Sequence, residues 1–68
     1  MRLKELRKQK GISQLKLAIE LNTNQNTISR YETGTREPGI VELINIAEYF
    51  NVSVDYLLGR TDNPNINR

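Results

Sequence analysis

Residues 13–34, SQLKLAIELNTNQNTISRYETG, constrain this 68-residue chain more than any other stretch. Two short segments with apolar residues at helical spacing are separated by only Leu21-Asn22-Thr23. In the first segment Leu17, Ala18 and Leu21 share one face, with Leu15 and Ile19 beside it. In the second, Ile28 and Tyr31 form a narrow inward stripe and Thr27 lies at its edge. Gln25, Asn26, Ser29, Arg30 and Thr33 occupy the opposite face.

The boundary signals agree with this division. Ser13 is a good cap for the first segment, which runs to about Glu20. Its third position is Lys16 instead of a capping acid, a mildly unfavourable charge at a helix start that a nearby phosphate would turn into a gain. Asn22 is, after glycine, the residue type that best tolerates left-handed dihedrals. Asn24 caps the second segment, which runs to about Glu32 and ends at Gly34. Two short amphipathic helices with such a turn have the layout of a helix-turn-helix, whose second helix enters the DNA major groove.

The remaining sequence is helical in the same way, and no stretch alternates with period two. A first helix is expected over Arg2–Lys10, with Leu3 and Leu6 inward and Gly11 as its left-handed end. Pro38 and Gly39 break the chain. A fourth helix is expected over Ile40–Phe50, with Ile40, Leu43, Ile44, Ala47 and Phe50 as its buried stripe. Asn51 closes it, and Ser53 caps a fifth helix over Val54–Leu58. The fold class is therefore all-α, a five-helix domain over residues 1–60. Residues 61–68, TDNPNINR, read as a polar tail, frayed or the stump of a linker.

Composition excludes several function classes. Twenty-five apolar residues suffice for one small core. With no Cys a disulfide is ruled out; with no His either, a zinc site would need carboxylates alone and the usual nucleophile or proton shuttle is missing, so neither an enzyme nor a metal or other cofactor is expected. No apolar run approaches the ~20 residues of a membrane span, and MRLKELRKQK has no signal-peptide core. The expected location is the cytoplasm, at the nucleoid. Residues 1–36 hold eight Lys or Arg against three Glu, net +5; residues 37–68 hold two Arg against five acids, net −3. A basic half opposite an acidic half suits a protein that lays one side on a polyanion.

Four pieces carry a resemblance: LKELRKQKGISQLKLA, NTNQNTISRYETG, REPGI and FNVSVDYLLGR. In this order and spacing they resemble the Cro/CI-type, or XRE, helix-turn-helix repressors across residues 3–60. The resemblance implies a compact lambda-repressor-like DNA-binding domain. It also implies an ion pair between Arg7 and Glu32 that orients the recognition helix. Asn22 departs from the family, which most often has glycine there.

The side chains on the outer face suit that role. Gln and Asn pair with adenine and Arg with guanine, so Gln25, Asn26, Ser29 and Arg30 are the candidate base contacts. Arg30 reaches either a guanine or a phosphate. Gln14, Lys16, Asn24, Thr27 and Arg36 are the candidate phosphate contacts; Thr27 either bonds a phosphate or packs its methyl inward. By resemblance, Gln14 also buttresses the first recognition residue. The other helix 1 cations, Arg2, Lys4, Lys8 and Lys10, read as a mixture of long-range field and solubility. The expected partner is a double-stranded, two-fold DNA operator bound by a homodimer formed at least on DNA, with no small-molecule ligand. The fifth helix, the tail and the loop with Val41 are candidates for the dimer surface. The alternative is an interaction module, antitoxin- or scaffold-like, with DNA binding secondary; an exposed apolar patch on the last two helices would favour it.

Overall fold

The computed structural model describes residues 1–66. Five helices follow in order: α1 (Leu3–Gln9), α2 (Gln14–Glu20), α3 (Gln25–Thr33), α4 (Ile40–Tyr49) and α5 (Val54–Leu58). Their limits follow from the local signals. The Ser13, Asn24 and Ser53 side chains each accept from a backbone N–H three residues on, at 2.9–3.0 Å. Asn22 and Asn51 adopt φ of 57° and 55°, so both asparagines reverse the chain in the left-handed region.

α1, α2 and α3 pack around Leu3, Leu6, Leu17 and Ile28, all buried, while Ile46, Ala47 and Leu57 close the core from α4 and α5. Ala18 is 1 % exposed at the junction of α2 with α3. A larger side chain there would force the two helices apart.

One expected face is different in the structure. On α4 the buried stripe is Ile46 and Ala47 with Leu43 and Phe50 packed beside them, whereas Ile40 is 77 % exposed and Ile44 lies half out. The sequence IVELINIA offers apolar residues on both flanks of the helix, so periodicity alone supports either rotation. On α2, Leu15 and Ile19 are exposed, Ile19 at 66 %. The expected Leu17–Ala18–Leu21 face is the one that packs into the core.

The described part of the tail is held against the body. Ser53 N donates to Pro64 O at 3.0 Å. Arg2 donates through Nε to Tyr56 O at 2.9 Å and through Nη2 to Thr61 O at 3.2 Å and Asp62 Oδ1 at 2.8 Å. Its guanidinium also lies 4.4 Å from the centre of the Tyr56 ring. Arg2 therefore ties the start of the chain to its last described turn. Asn67 and Arg68, the end of the expected tail, lie outside the described residues.

Candidate nucleic-acid interface

α3 separates its side chains sharply. Thr27, Ile28 and Tyr31 are buried, and the apolar pair anchors the helix to the core. Gln25, Asn26 and Arg30 are exposed and Ser29 is half-buried on the other flank. These four side chains make no hydrogen bond among the described residues. The flank thus presents two amides, a hydroxyl and a guanidinium to solvent with their hydrogen-bonding capacity unused.

The end of α3 is clamped from below. Arg7 Nε donates to Glu32 Oε2 at 2.6 Å and Nη2 to Oε1 at 3.1 Å, a two-point contact. The Glu32 side chain is 2 % exposed and that of Arg7 12 %. Arg7 Nη1 also donates to Ile12 O at 2.9 Å, bracing the α1–α2 connection. Gln14 Nε2 donates to Glu32 Oε1 at 3.1 Å. One carboxylate therefore joins α1, α2 and α3. Burial pushes the Glu32 carboxyl up, but the hydrogen bonds from Arg7 and Gln14, with the charges of Arg7 and Lys4, outweigh it and hold it below its ordinary value. The hydrogen bond to Glu32 raises Arg7, against a smaller opposing effect of burial. No buried side-chain nitrogen or oxygen lacks a partner among the described residues.

The remaining candidates are spread around this centre. Asn24 Oδ1 accepts from both Thr27 N and Thr27 Oγ1, at 2.9 and 3.0 Å. Thr27 is 8 % exposed, so of the two placements open in the sequence it takes the inward one, with its hydroxyl donating to the cap. Lys16 pairs with Glu20 at 2.9 Å on the surface of α2, and that hydrogen bond and charge raise its pKa. Arg36 lies beyond the end of α3 with its guanidinium 6.0 Å from the centre of the Tyr31 ring. Gln14 departs from its expected arrangement: its amide meets Glu32 near the end of α3, not Gln25 at the start.

Sequence reasoning missed two of these connections. Arg2, which reads in the sequence as one of a mixed set of field and solubility cations, is a hub whose side-chain hydrogen-bond partners lie 54–60 residues away. The Gln14–Glu32 bond spans 18 residues. The spacing of neither pair announces it. Helical periodicity would have found only partners three or four residues distant.

The family model described as helix-turn-helix matches residues 3–57, nearly all of α1 to α5. The chain belongs to the XRE-type helix-turn-helix family. It is similar to the HTH-type transcriptional regulator ImmR of Bacillus subtilis (strain 168), 41 % identical over 61 residues, covering 90 % of this chain and 48 % of ImmR. The uncharacterized HTH-type transcriptional regulator YqaE of the same strain is 41 % identical over 64 residues, covering 94 % of this chain and 55 % of YqaE. The HTH-type transcriptional activator BcrR of Enterococcus faecalis is 35 % identical over 57 residues, covering 84 % of this chain and 28 % of BcrR. The chain spans about half the length of the first two of these curated relatives. No solved structure matches it. Among the described residues no helix of this XRE-type domain is long and apolar enough to cross a membrane.

Proposed function

We propose that this XRE-type chain is the sequence-specific double-stranded DNA-binding part of a transcriptional regulator, acting as a repressor on a two-fold operator at the cytoplasmic nucleoid. The observation that carries the reading is the outer flank of α3. Gln25, Asn26 and Arg30 are exposed, Ser29 is half-buried, and their side chains have no internal partner among the described residues, while the opposite flank is buried and clamped. In the major groove Gln25 and Asn26 meet bases first, because the start of a recognition helix goes deepest. Arg30 lies one turn further along, with Ser29 as a weaker contact. Lys16, Asn24 and Arg36 bind phosphates and position the helix without reading sequence. Thr27 is not carried into this set, because its hydroxyl is already bonded.

One such domain covers a half-site. The apolar side chains left exposed at the start of α4 and in α5, Ile40, Val41 and Leu58, are the surface for a second copy on adjacent half-sites. Half-site centres then lie about 34–36 Å apart.

The test is selection of a DNA pool and titration of the selected duplex across a salt series. Affinity is expected to fall steeply with salt as phosphate counterions are released. Gln25→Ala, Asn26→Ala and Arg30→Ala are expected to stay folded and lose preference between sequences. Flat salt dependence, or selection of the same sequences by all three variants, overturns the reading. Inserting five base pairs between half-sites is expected to abolish cooperative binding. An unchanged two-step affinity overturns the dimer.

A further inference from the structure

Gln14 belongs to two neighbourhoods at once. It opens α2, and its amide nitrogen lies 3.1 Å from an oxygen of Glu32 in the last turn of α3. Arg7 approaches the same carboxylate from α1 through two donors. Arg7 alone neutralises the charge, but its two donors come from a single helix. A second tie from α2 fixes the direction of the carboxylate as well as its distance from α1. Glu32 follows Arg30 by two residues, and Ile28 and Tyr31 provide the only other large buried anchors of α3. The placement of Glu32 therefore sets the roll of the helix, and with it the direction in which Gln25, Asn26 and Arg30 project.

We propose that Gln14 is a positioning residue that sets the sequence preference of the α3 face through Glu32, without itself reading a base. The inference rests on α3 being the recognition helix. It assigns Gln14 a role distinct from a phosphate contact, and the two roles leave different signatures. A neutral phosphate contact contributes equally to every DNA sequence. A residue that sets the roll of α3 alters the ratio between a selected and a shuffled duplex.

The experiment compares wild type with Gln14→Met, which keeps length without a donor, and Gln14→Lys, which restores a donor. Each protein is titrated with the selected duplex and with a shuffled duplex of equal length. Gln14→Met is expected to lower the selected-to-shuffled affinity ratio about tenfold, in keeping with loss of one hydrogen bond to a charged group, while affinity for the shuffled duplex changes far less. Gln14→Lys is expected to restore the ratio. In the free proteins, the Glu32 carboxyl resonance is expected to titrate at higher pH in Gln14→Met than in wild type. In wild type, the side-chain amide of Gln14 is expected to follow the Glu32 titration. An amide that does not follow it overturns the inference whatever the variants do. Equal loss of affinity for both duplexes overturns it too, leaving Gln14 a backbone contact. If wild type itself shows no preference between the duplexes, the α3 reading falls first; the two titrations still report whether Gln14 holds Glu32.

Discussion

Both flanks of α3 carry polar side chains, and those side chains meet opposite fates. On the inner flank, Thr27 gives its hydroxyl to Asn24, and Glu32 accepts from Arg7 and Gln14 in a site almost closed to water. On the outer flank, Gln25, Asn26, Ser29 and Arg30 have comparable chemistry and no internal partner among the described residues. Bonded polar groups in a buried site stabilise one arrangement, and removing either partner strands the other. Unbonded polar groups in solvent contribute little to stability and remain available to a ligand. Within nine residues of helix, hydrogen-bond satisfaction separates what holds the fold from what it presents.

The largest effect is expected on the inner flank. Arg7→Leu leaves the Glu32 carboxylate buried without its cation and should cost about 3–5 kcal/mol, enough to unfold much of a domain this small. The double variant Arg7→Met with Glu32→Leu removes both charges and should recover most of that loss. Urea midpoints decide the matter: a single variant as stable as wild type would erase the contrast between the flanks.

The outer flank should respond in the opposite sense. Arg30→Ala, Gln25→Ala and Asn26→Ala should each leave the urea midpoint within about 0.5 kcal/mol of wild type. Each should reduce discrimination at its own base pair by about 1–3 kcal/mol where the pairing is bidentate. A loss of stability comparable to that of Arg7→Leu would show that the outer flank is also structural.

A weaker test uses pH. The Glu32 carboxyl sits below its ordinary value when folded, so its contribution is complete above the unfolded carboxylate pKa of about 4.3. That contribution should decline as pH falls from there through the lower folded value. Glu32→Gln should flatten this part of the stability profile below about pH 4 relative to wild type. Identical acid profiles would mean the carboxylate is not the group that couples the three helices to protonation.

The smallest effect is expected at the turn that brings the flanks together. Asn22 holds φ at 57°, which costs asparagine less than most residues and glycine almost nothing. Glycine also adds freedom to the unfolded chain, so Asn22→Gly should shift stability by less than about 1 kcal/mol and leave DNA selection unchanged. A change in selection would place the turn itself on the interface.

Much of this architecture was legible because its causes are local. Ser13, Asn24 and Ser53 cap the residues three positions on, and Asn22 and Asn51 turn the chain by their own dihedrals. The periodic inward residues of α1 and α3 needed no neighbour to be recognised. The exposed face of α3 followed from the same period, because four polar residues at that spacing share one side of a helix.

Other features depend on what each helix meets. The α4 sequence has apolar groups on two flanks, and only the positions of the other helices select Ile46 over Ile40 and Ile44 beside the expected Ala47. Leu15 and Ile19 remain in water because the core lies on the Leu17–Ala18–Leu21 side of α2. The clamp was anticipated from resemblance as far as Arg7 and Glu32, but not the amide of Gln14 that completes it. Nor did anything near Arg2 indicate that its guanidinium would gather Tyr56, Thr61 and Asp62. The sequence by itself determined the five helices, their ends and the polar face of α3, since each depends on residues within one turn of another. The tertiary structure alone decided which apolar flank is buried and where the Arg2 and Gln14 side chains end, because those choices depend on surfaces that different helices bring together, 18 residues apart for Gln14 and up to 60 for Arg2.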